Sequence, residues 1–347
     1  GVLQGDILLN LDSETEGELY IGCAGGLDGT ADFRYDTVAA PEGWQSWKLT
    51  VKGLAGGHSG MDIILYRANA NRAAARIVLP LIEKYGVKIA DFKGGSLRNA
   101  IPFEAEVTML VNPETLASVK ADIDKAFGEI KAEFAETDPS AVCIFEALEV
   151  PVTEYIEDGV ALRAVKSVLA CPNGVERMSA SVEGLTETSN NLAVIRTENG
   201  HLVIRCLMRS SVDSAKEALA LRMRSVFELA GAEFTTCGGY SGWTPKPDTP
   251  IIATVKEVYR KLYGQEMKVM DAASGKAFDM KPTEELAFAG GHLYAYSYIY
   301  NKVSTEMTSS VKTQFVTRIE DEKVVAAMDN QKEITMTMWM KADENRT

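Results

Sequence analysis

The segment that decides the fold is KGLAGGHSG, residues 52–60. An alternating strand at 47–51 is predicted to lead into this segment, and a helix at about 62–85 is predicted to follow it. Glycines on both sides of His58 let the backbone take positive φ and come close to a ligand or to another part of the chain. Two interpretations stay open from these residues: a surface turn in which His58 has no chemical role, or a functional loop that presents the imidazole.

The composition of the 347 residues is that of an ordinary globular protein, 46% hydrophobic and 24% charged, and the length indicates two domains. No apolar run is long enough for a membrane span, and no segment has the pattern of a secretory signal, although the chain starts at Gly1 rather than Met. The net charge of −13 argues against nucleic acid as a partner, because an acidic surface repels phosphates. Five widely spaced cysteines without a CxxC pair are typical of free thiols in a reducing cytoplasm.

Upstream of the glycine-rich segment, an apolar strand is predicted at 5–12 and a second strand at 18–24. Asp12 comes at the end of the first strand, where α/β proteins place ligand-binding groups. Two interpretations are again open, a metal ligand or a solvated loop carboxylate.

Downstream of the same segment, strands and helices alternate to about residue 134, and a similar pattern recurs from about 159. The second part contains ENGH at 198–201, and Asn-Gly between two apolar runs is a strong hairpin signal. The recurrence predicts an internal duplication. His201, beside this turn, is interpreted as a solvated loop residue.

A domain boundary is indicated by GGYSGWTPKP, residues 238–247, because glycine, proline and aromatic residues mark a chain that crosses between domains. A helix is predicted at 249–263. Residues after Asp271 carry no recognisable motif.

Seven motifs in order resemble those of one family, the bacterial aminoacyl-histidine dipeptidases, also called Xaa-His or cytosol nonspecific dipeptidases. The similarity extends from Gly1 to about Lys268, and the motifs are NLDSE at 10–14, GCAGG at 22–26, GGHSG at 56–60, RNAIP at 98–102, ETSNNLA at 187–193, RSSVDS at 209–214 and GYSGW at 239–243. This family belongs to the dinuclear zinc aminoacylases and carboxypeptidases. The resemblance implies an α/β fold in which a large α+β lid, of the kind that dimerises, interrupts a zinc-binding catalytic domain.

The resemblance also divides the chain. Residues 1–42 correspond to the end of the catalytic domain, 43–243 to the lid, and 244–347 to the return to the catalytic domain, with a divergent tail after about 271. These boundaries agree with the composition change near residue 43 and the break at 238–247.

Site roles follow from the matched positions. Asp12 matches a metal-ligand aspartate, a sensible ligand for one of two zinc ions, with other divalent metals as the alternative. His58 matches a lid histidine that helps to hold the oxyanion, in some relatives across a dimer interface. Asn99 matches a substrate-binding asparagine, and Arg209 matches the arginine that binds the terminal carboxylate of the substrate.

Several family residues have no counterpart here. The His-x-Asp pair, the bridging aspartate and the Glu-Glu pair that supplies the general base match no residues of this sequence, and His292 lacks the expected context. The resemblance therefore implies an incomplete and inactive piece of a cytoplasmic zinc dipeptidase, a homodimer that acts on Xaa-His and other dipeptides. Two alternatives remain: a non-catalytic fragment that dimerises or binds peptides, or another deacylase or tripeptidase of the same group.

Overall fold

The computed structural model describes residues 7–10, 16–180, 182 and 184–271, together with the backbone of four later strands. Asp12, His292 and most of the tail after Asp271 lie outside the described residues.

Five α-helices and one 3₁₀ turn are described, with the following bounds: α1 Ala70–Tyr85, α2 Leu116–Glu133, α3 Asp158–Ala170, α4 Asp213–Leu229, α5 Pro250–Tyr263, and the 3₁₀ turn Ile63–Leu65. The described strands are β1 Ile7–Asn10, β2 Glu18–Tyr20, β3 Gly25–Arg34, β4 Thr37–Ala39, β5 Gln45–Lys52, β6 Gly57–His58, β7 Lys88–Gly94, β8 Ala100–Ile101, β9 Ala105–Val111, β10 Val142–Ala147, β11 Glu154–Ile156, β12 Gly174–Met178, β13 Thr186–Glu198, β14 His201–Ser210, β15 Glu233–Tyr240, β16 Lys268–Met270, β17 Ala277–Phe278, β18 Tyr294–Tyr298, β19 Gln314–Arg318 and β20 Ile334–Met338. None of the described helices is long and apolar enough to cross a membrane.

The larger compact unit contains Gly22–Pro245 and is organised around a nine-stranded sheet. Its strand order is β10-β5-β9-β7-β13-β14-β3-β15, and β12 pairs with β13. The helices pack side by side in the order α2-α1-α3-α4. One continuous apolar core joins these helices to the sheet. The predicted α/β fold class is confirmed.

This sheet consists of two copies of the same topology. The chain order β5-α1-β7-β9-α2-β10 forms one copy, and β3-α3-β13-β14-α4-β15 forms the other. In each copy the strands lie in the order fourth, first, third, second. The predicted duplication is therefore nested: an inserted copy, residues 45–147, interrupts a split copy, residues 25–34 and 158–240.

The two copies join where β7 lies antiparallel to β13. Side chains of β13 complete this seam, because the Thr197 hydroxyl accepts a hydrogen bond from the amide of Phe92 at 2.9 Å and donates to its carbonyl at 3.1 Å. Arg196 also donates to the carbonyls of Gly94 and Gly95. Backbone groups that the short ladder leaves unpaired are satisfied in this way.

Local chemistry explains where helix α1 begins. The prediction of a helix from about residue 62 is wrong at its start, because a 3₁₀ turn ends at Tyr66 with φ of 54°. Asn69 then caps α1, and its side chain accepts a hydrogen bond from the amide of Arg72 at 3.2 Å. Gly86, with φ of 65°, ends the helix.

The smaller compact unit includes Lys246–Asp271. The predicted helix at 249–263 is confirmed as α5, which starts with Pro250 in its first turn and ends at Gly264 in the left-handed conformation. Strand β16 runs parallel to β2, and a small core of Ile21, Ile252 and Val269 packs beside them. Strand β2 ends at Tyr20, so the predicted strand at 18–24 is shorter than expected.

Candidate functional site

His58 lies on a corner that its neighbours hold tightly. Strand β6 pairs with β8, and the amide of His58 donates to the Asp62 carboxylate at 2.7 Å. Gly57 has φ of 135°, and a Cβ at this position would lie 2.5 Å from the Arg67 guanidinium and 2.7 Å from the Asp62 side chain. Glycine is therefore required here both by the backbone conformation and by the available space.

The imidazole of His58 has a defined tautomer in its neutral form. Its Nδ1 accepts hydrogen bonds from the amides of Gly60 and Met61, each at 3.2 Å, so the proton lies on Nε2. Burial lowers the pKa of His58, the positive charge of Arg209 lowers it further, and Asp62 opposes the shift. The ring is consequently a neutral hydrogen-bond donor near neutral pH.

Arg209 lies on β14 and reaches toward the histidine corner. Its Nε donates to the Ser59 hydroxyl at 3.2 Å, and its Nη1 donates to the Tyr240 hydroxyl at 3.4 Å. Both partners are neutral hydroxyls, so within the described part of the chain no carboxylate neutralises this guanidinium. An uncompensated, half-buried guanidinium is suited to bind a carboxylate from a ligand.

Asn99 is exposed on the loop between β7 and β8, and its neighbours fix this loop. The carbonyl of Asn99 accepts a hydrogen bond from the amide of Ser59 at 2.9 Å. The side-chain amide of Asn191 donates to the carbonyls on either side of Asn99, those of Arg98 at 3.1 Å and Ala100 at 2.7 Å. Asn99 is therefore tied to the His58 corner through its backbone, while its side chain is left exposed.

The structure thus brings three of the four predicted site residues together, His58, Asn99 and Arg209, and Asp12 lies outside the described residues. Three further residues hold these groups in place, and the sequence alone predicts no role for them: Ser59, Asn191 and Tyr240. All three belong to family motifs, GGHSG, ETSNNLA and GYSGW. The resemblance therefore marks these positions, but it gives no chemical role for their side chains.

Other reactive side chains lie outside this cluster. His201 is not a loop residue: it starts β14, and its Nδ1 lies 2.9 Å from the Asp32 carboxylate at the opposite end of the strand from Arg209. Cys171 and Cys206 are buried with their sulfur atoms 4.0 Å apart, and the hydrogen bond between them and burial raise the pKa of Cys171. Among the residues that the structure describes, no three His, Cys, Asp or Glu side chains are grouped to hold a metal.

The known proteins to which this chain is similar include peptidases. Residues 49–138, most of the inserted copy, match the M20_dimer family, described as a peptidase dimerisation domain. The cytosol non-specific dipeptidase of Escherichia coli strain K12 is 36% identical over 279 residues, which are 79% of this chain and 56% of that protein. The crystal structure of aminoacylhistidine dipeptidase from Vibrio alginolyticus aligns with a TM-score of 0.74 and 40% identity, covering 78% of this chain and 55% of that chain.

These similarities confirm the resemblance predicted from the seven motifs. The chain spans slightly more than half the length of both relatives, 56% of one and 55% of the other.

Proposed function

We propose that this chain forms the substrate-covering part of a metal-dependent dipeptidase, because 79% of its residues align with a dipeptidase at 36% identity. The proposed substrates are Xaa-His and other dipeptides with a free terminal carboxylate. The observation that carries this proposal is the hydrogen bond from Arg209 of the split copy to the hydroxyl of Ser59, the residue next to His58 in the inserted copy.

In this proposal His58 stabilises the oxyanion that forms when the scissile carbonyl is attacked. A neutral imidazole with its proton on Nε2 donates a hydrogen bond without giving up the proton. The two amides that bind Nδ1 fix the orientation of the ring before the substrate arrives. The lowered pKa keeps the ring in this neutral form as the pH falls toward the ordinary histidine range.

Arg209 selects the substrate in the same scheme. Its guanidinium binds the terminal carboxylate, which restricts the enzyme to peptides short enough to place that carboxylate near the scissile bond. Asn99, on the loop fixed by Asn191, supplies an exposed amide for the peptide backbone of the substrate.

Zinc is the cofactor that we propose for the complete enzyme, with Asp12 as one ligand. The described residues do not group three side chains that could hold a metal, and the general base and the remaining ligands of the family match no residues of this sequence. We therefore propose that this chain by itself has no peptidase activity. We also assign residues 1–42 and 244–347 to the catalytic domain and 43–243 to the lid.

A homodimer in the cytoplasm is part of the same proposal, on the strength of the dimerisation-domain match and the cytosolic relative. The structure also bears on what dimerisation contributes to the proposed site. His58 belongs to the inserted copy and Arg209 to the split copy of one chain, so the two residues meet without a partner subunit. Dimerisation is not required to bring these two side chains together.

The test uses two forms of the protein: this chain, and a ligand-complete form that also carries the His-x-Asp, bridging-aspartate and Glu-Glu ligands. Zinc content and hydrolysis of an Xaa-His dipeptide are measured on both. We expect bound zinc and turnover only in the ligand-complete form. A zinc-loaded ligand-complete form without dipeptide hydrolysis would refute the proposed function, and turnover by this chain would refute its inactivity.

Two other functions are distinguished by assays on the same two forms of the protein. A non-catalytic fragment that dimerises or binds peptides is favoured by the incomplete ligand set of this chain. A panel of tripeptides and N-acyl amino acids distinguishes a tripeptidase or deacylase of the same group from a dipeptidase.

A further inference from the structure

Three residues form a row across three neighbouring strands of the split copy. Arg209 on β14 lies opposite Gly26 on β3, and Tyr240 on β15 lies opposite the same Gly26. Residues directly opposite each other in antiparallel strands point to the same face of the sheet. Arg209 and Tyr240 therefore flank a position that has no side chain.

Because Gly26 has no side chain, there is space above it for the phenol ring of Tyr240. A Cβ at residue 26 would lie 2.5 Å from Cε1 and 2.8 Å from the hydroxyl oxygen of Tyr240. The ring lies across the backbone of Gly26, and its hydroxyl reaches Nη1 of Arg209 at 3.4 Å. Space, rather than an unusual backbone conformation, explains the glycine.

The backbone of Tyr240 is held by a buried lysine that is itself paired with a carboxylate. The Lys216 ammonium donates to the carbonyl of Tyr240 at 2.5 Å and to the Asp213 carboxylate at 2.8 Å. Asp213 also accepts a hydrogen bond from the amide of Gly242 at 2.9 Å. The side chain of Lys216 is only 7% exposed, whereas Tyr240 is 50% exposed. A fixed backbone thus presents an accessible hydroxyl beside Arg209.

We propose that Tyr240 is a specificity residue. Its hydroxyl donates an O–H hydrogen bond to the same terminal carboxylate that the N–H groups of Arg209 bind. The phenol oxygen accepts from Nη1, so its own O–H is left to donate. The Nε–H of Arg209 donates to Ser59, so the N–H groups that remain to bind a ligand carboxylate are those on Nη1 and Nη2, at the end of the guanidinium. The ligand is a peptide or amino acid with a free α-carboxylate. This inference rests on the proposed function and extends its substrate site.

Binding is tested on this 347-residue chain by NMR titration with two probes, N-acetyl-L-histidine and its carboxamide. We expect the wild-type chain to bind the acid more tightly than the amide. Tyr240→Phe keeps the ring and removes the donor, so it is expected to weaken binding of the acid roughly tenfold and to leave the amide unchanged. Tyr263→Phe, which alters an exposed phenol on α5, is the matched control and is expected to change neither. Equal binding of both probes by the wild type, or no effect of Tyr240→Phe, overturns the proposal.

A second variant tests the geometry of the row. Gly26→Ala places a methyl group where the ring lies, so it is expected to weaken acid binding as Tyr240→Phe does. Because both changes disrupt one hydrogen bond, the double variant is expected to bind no worse than either single variant. Fully additive losses would show that Gly26 does not act through Tyr240.

Kinetics of the ligand-complete form keep this inference separate from the proposed function. Tyr240→Phe is expected to raise KM for free dipeptides with kcat unchanged and to leave dipeptide amides unaffected. If the ligand-complete wild type hydrolyses no dipeptide while this chain still prefers the acid probe, the function fails and the carboxylate site stands. If it hydrolyses dipeptides and Tyr240→Phe slows acid and amide equally, the site fails and the function stands.

Discussion

The inserted copy and the split copy share a strand order, and they differ in how each holds the side chain that it contributes to the proposed site. The inserted copy presents His58 on a glycine-rich corner between β5 and α1, whereas the split copy presents Arg209 from within β14. A strand holds a side chain more rigidly than a loop does. We therefore propose that Arg209 forms a fixed carboxylate site, and that the glycine-rich corner of the inserted copy holds the imidazole of His58 beside it.

The largest effect is expected from the shared core, and it tests whether the copies are one folding unit. Phe92 in the inserted copy and Phe227 in the split copy are both fully buried in the same apolar cluster. Changing either to Ala is expected to lower the free energy of unfolding by about 3–5 kcal/mol, with a single urea transition for both variants. Leu221→Ala, at a residue 60% exposed, is the control. Two transitions, each shifted by only one variant, would show that the copies unfold separately.

The next largest effect tests the proposed role of His58, which belongs to the inserted copy. His58→Ala in the ligand-complete form is expected to lower kcat by about 10²–10³-fold, because it removes one donor to the oxyanion. His201→Ala is the matched control, since His201 pairs with Asp32 at the far end of β14. Equal losses of kcat in the two variants would contradict the assigned role of His58.

A somewhat smaller effect tests the proposed role of Arg209, which belongs to the split copy. Arg209→Ala is expected to raise KM for free dipeptides by roughly 10–100-fold, because a charge-assisted pair with the carboxylate is lost. Dipeptide amides are expected to be unaffected. Arg205→Ala changes an exposed arginine on the same strand and the same face, and we expect it to have no such effect. The same loss for amides and free acids would refute the carboxylate role.

The smallest effect measures the electrostatic interaction between His58 of the inserted copy and Arg209 of the split copy. The charge of Arg209 contributes to the lowered pKa of His58, so Arg209→Ala is expected to raise that pKa toward its ordinary value, and Arg209→Lys to leave it nearly unchanged. A histidine with a lowered pKa stays neutral to lower pH, so the variant is expected to become protonated at a higher pH than the wild type. Titration of the imidazole by NMR measures this, and an unchanged pKa in Arg209→Ala would mean that the two groups are not in electrostatic contact.

Much of the fold could be predicted from local patterns. The strand before His58, the hairpin at 198–201 and helix α5 have strong periodicity, turn or capping signals, and all are present. Strand β3 was missed because Gly25, Gly26 and Asp28 interrupt its apolar alternation. These residues are explained only by tertiary contacts: Gly26 makes room for Tyr240, and Asp28 forms an ion pair with Arg98.

The nested order of the copies also could not be predicted, since it depends on β3. Without that strand the second copy starts with a helix, and the repeat reads as two tandem parts. The proposed site residues His58, Asn99 and Arg209 are predicted by their resemblance to family motifs, whereas the contacts of Asn191 require the structure. Its side chain spans from β13 to the Asn99 loop, a contact between residues 91 and 93 positions apart in the sequence.

Above all, we propose that His58 and Arg209 of one chain act on the same substrate. The most direct measurement is the activity of a mixture of ligand-complete His58→Ala and Arg209→Ala proteins after co-expression, compared with each variant alone. We predict that the mixture has no more activity than the average of the two variants, because every chain lacks one group of its own site. Restored activity in mixed oligomers would show that the histidine serves the arginine of a partner subunit, and it would contradict this account.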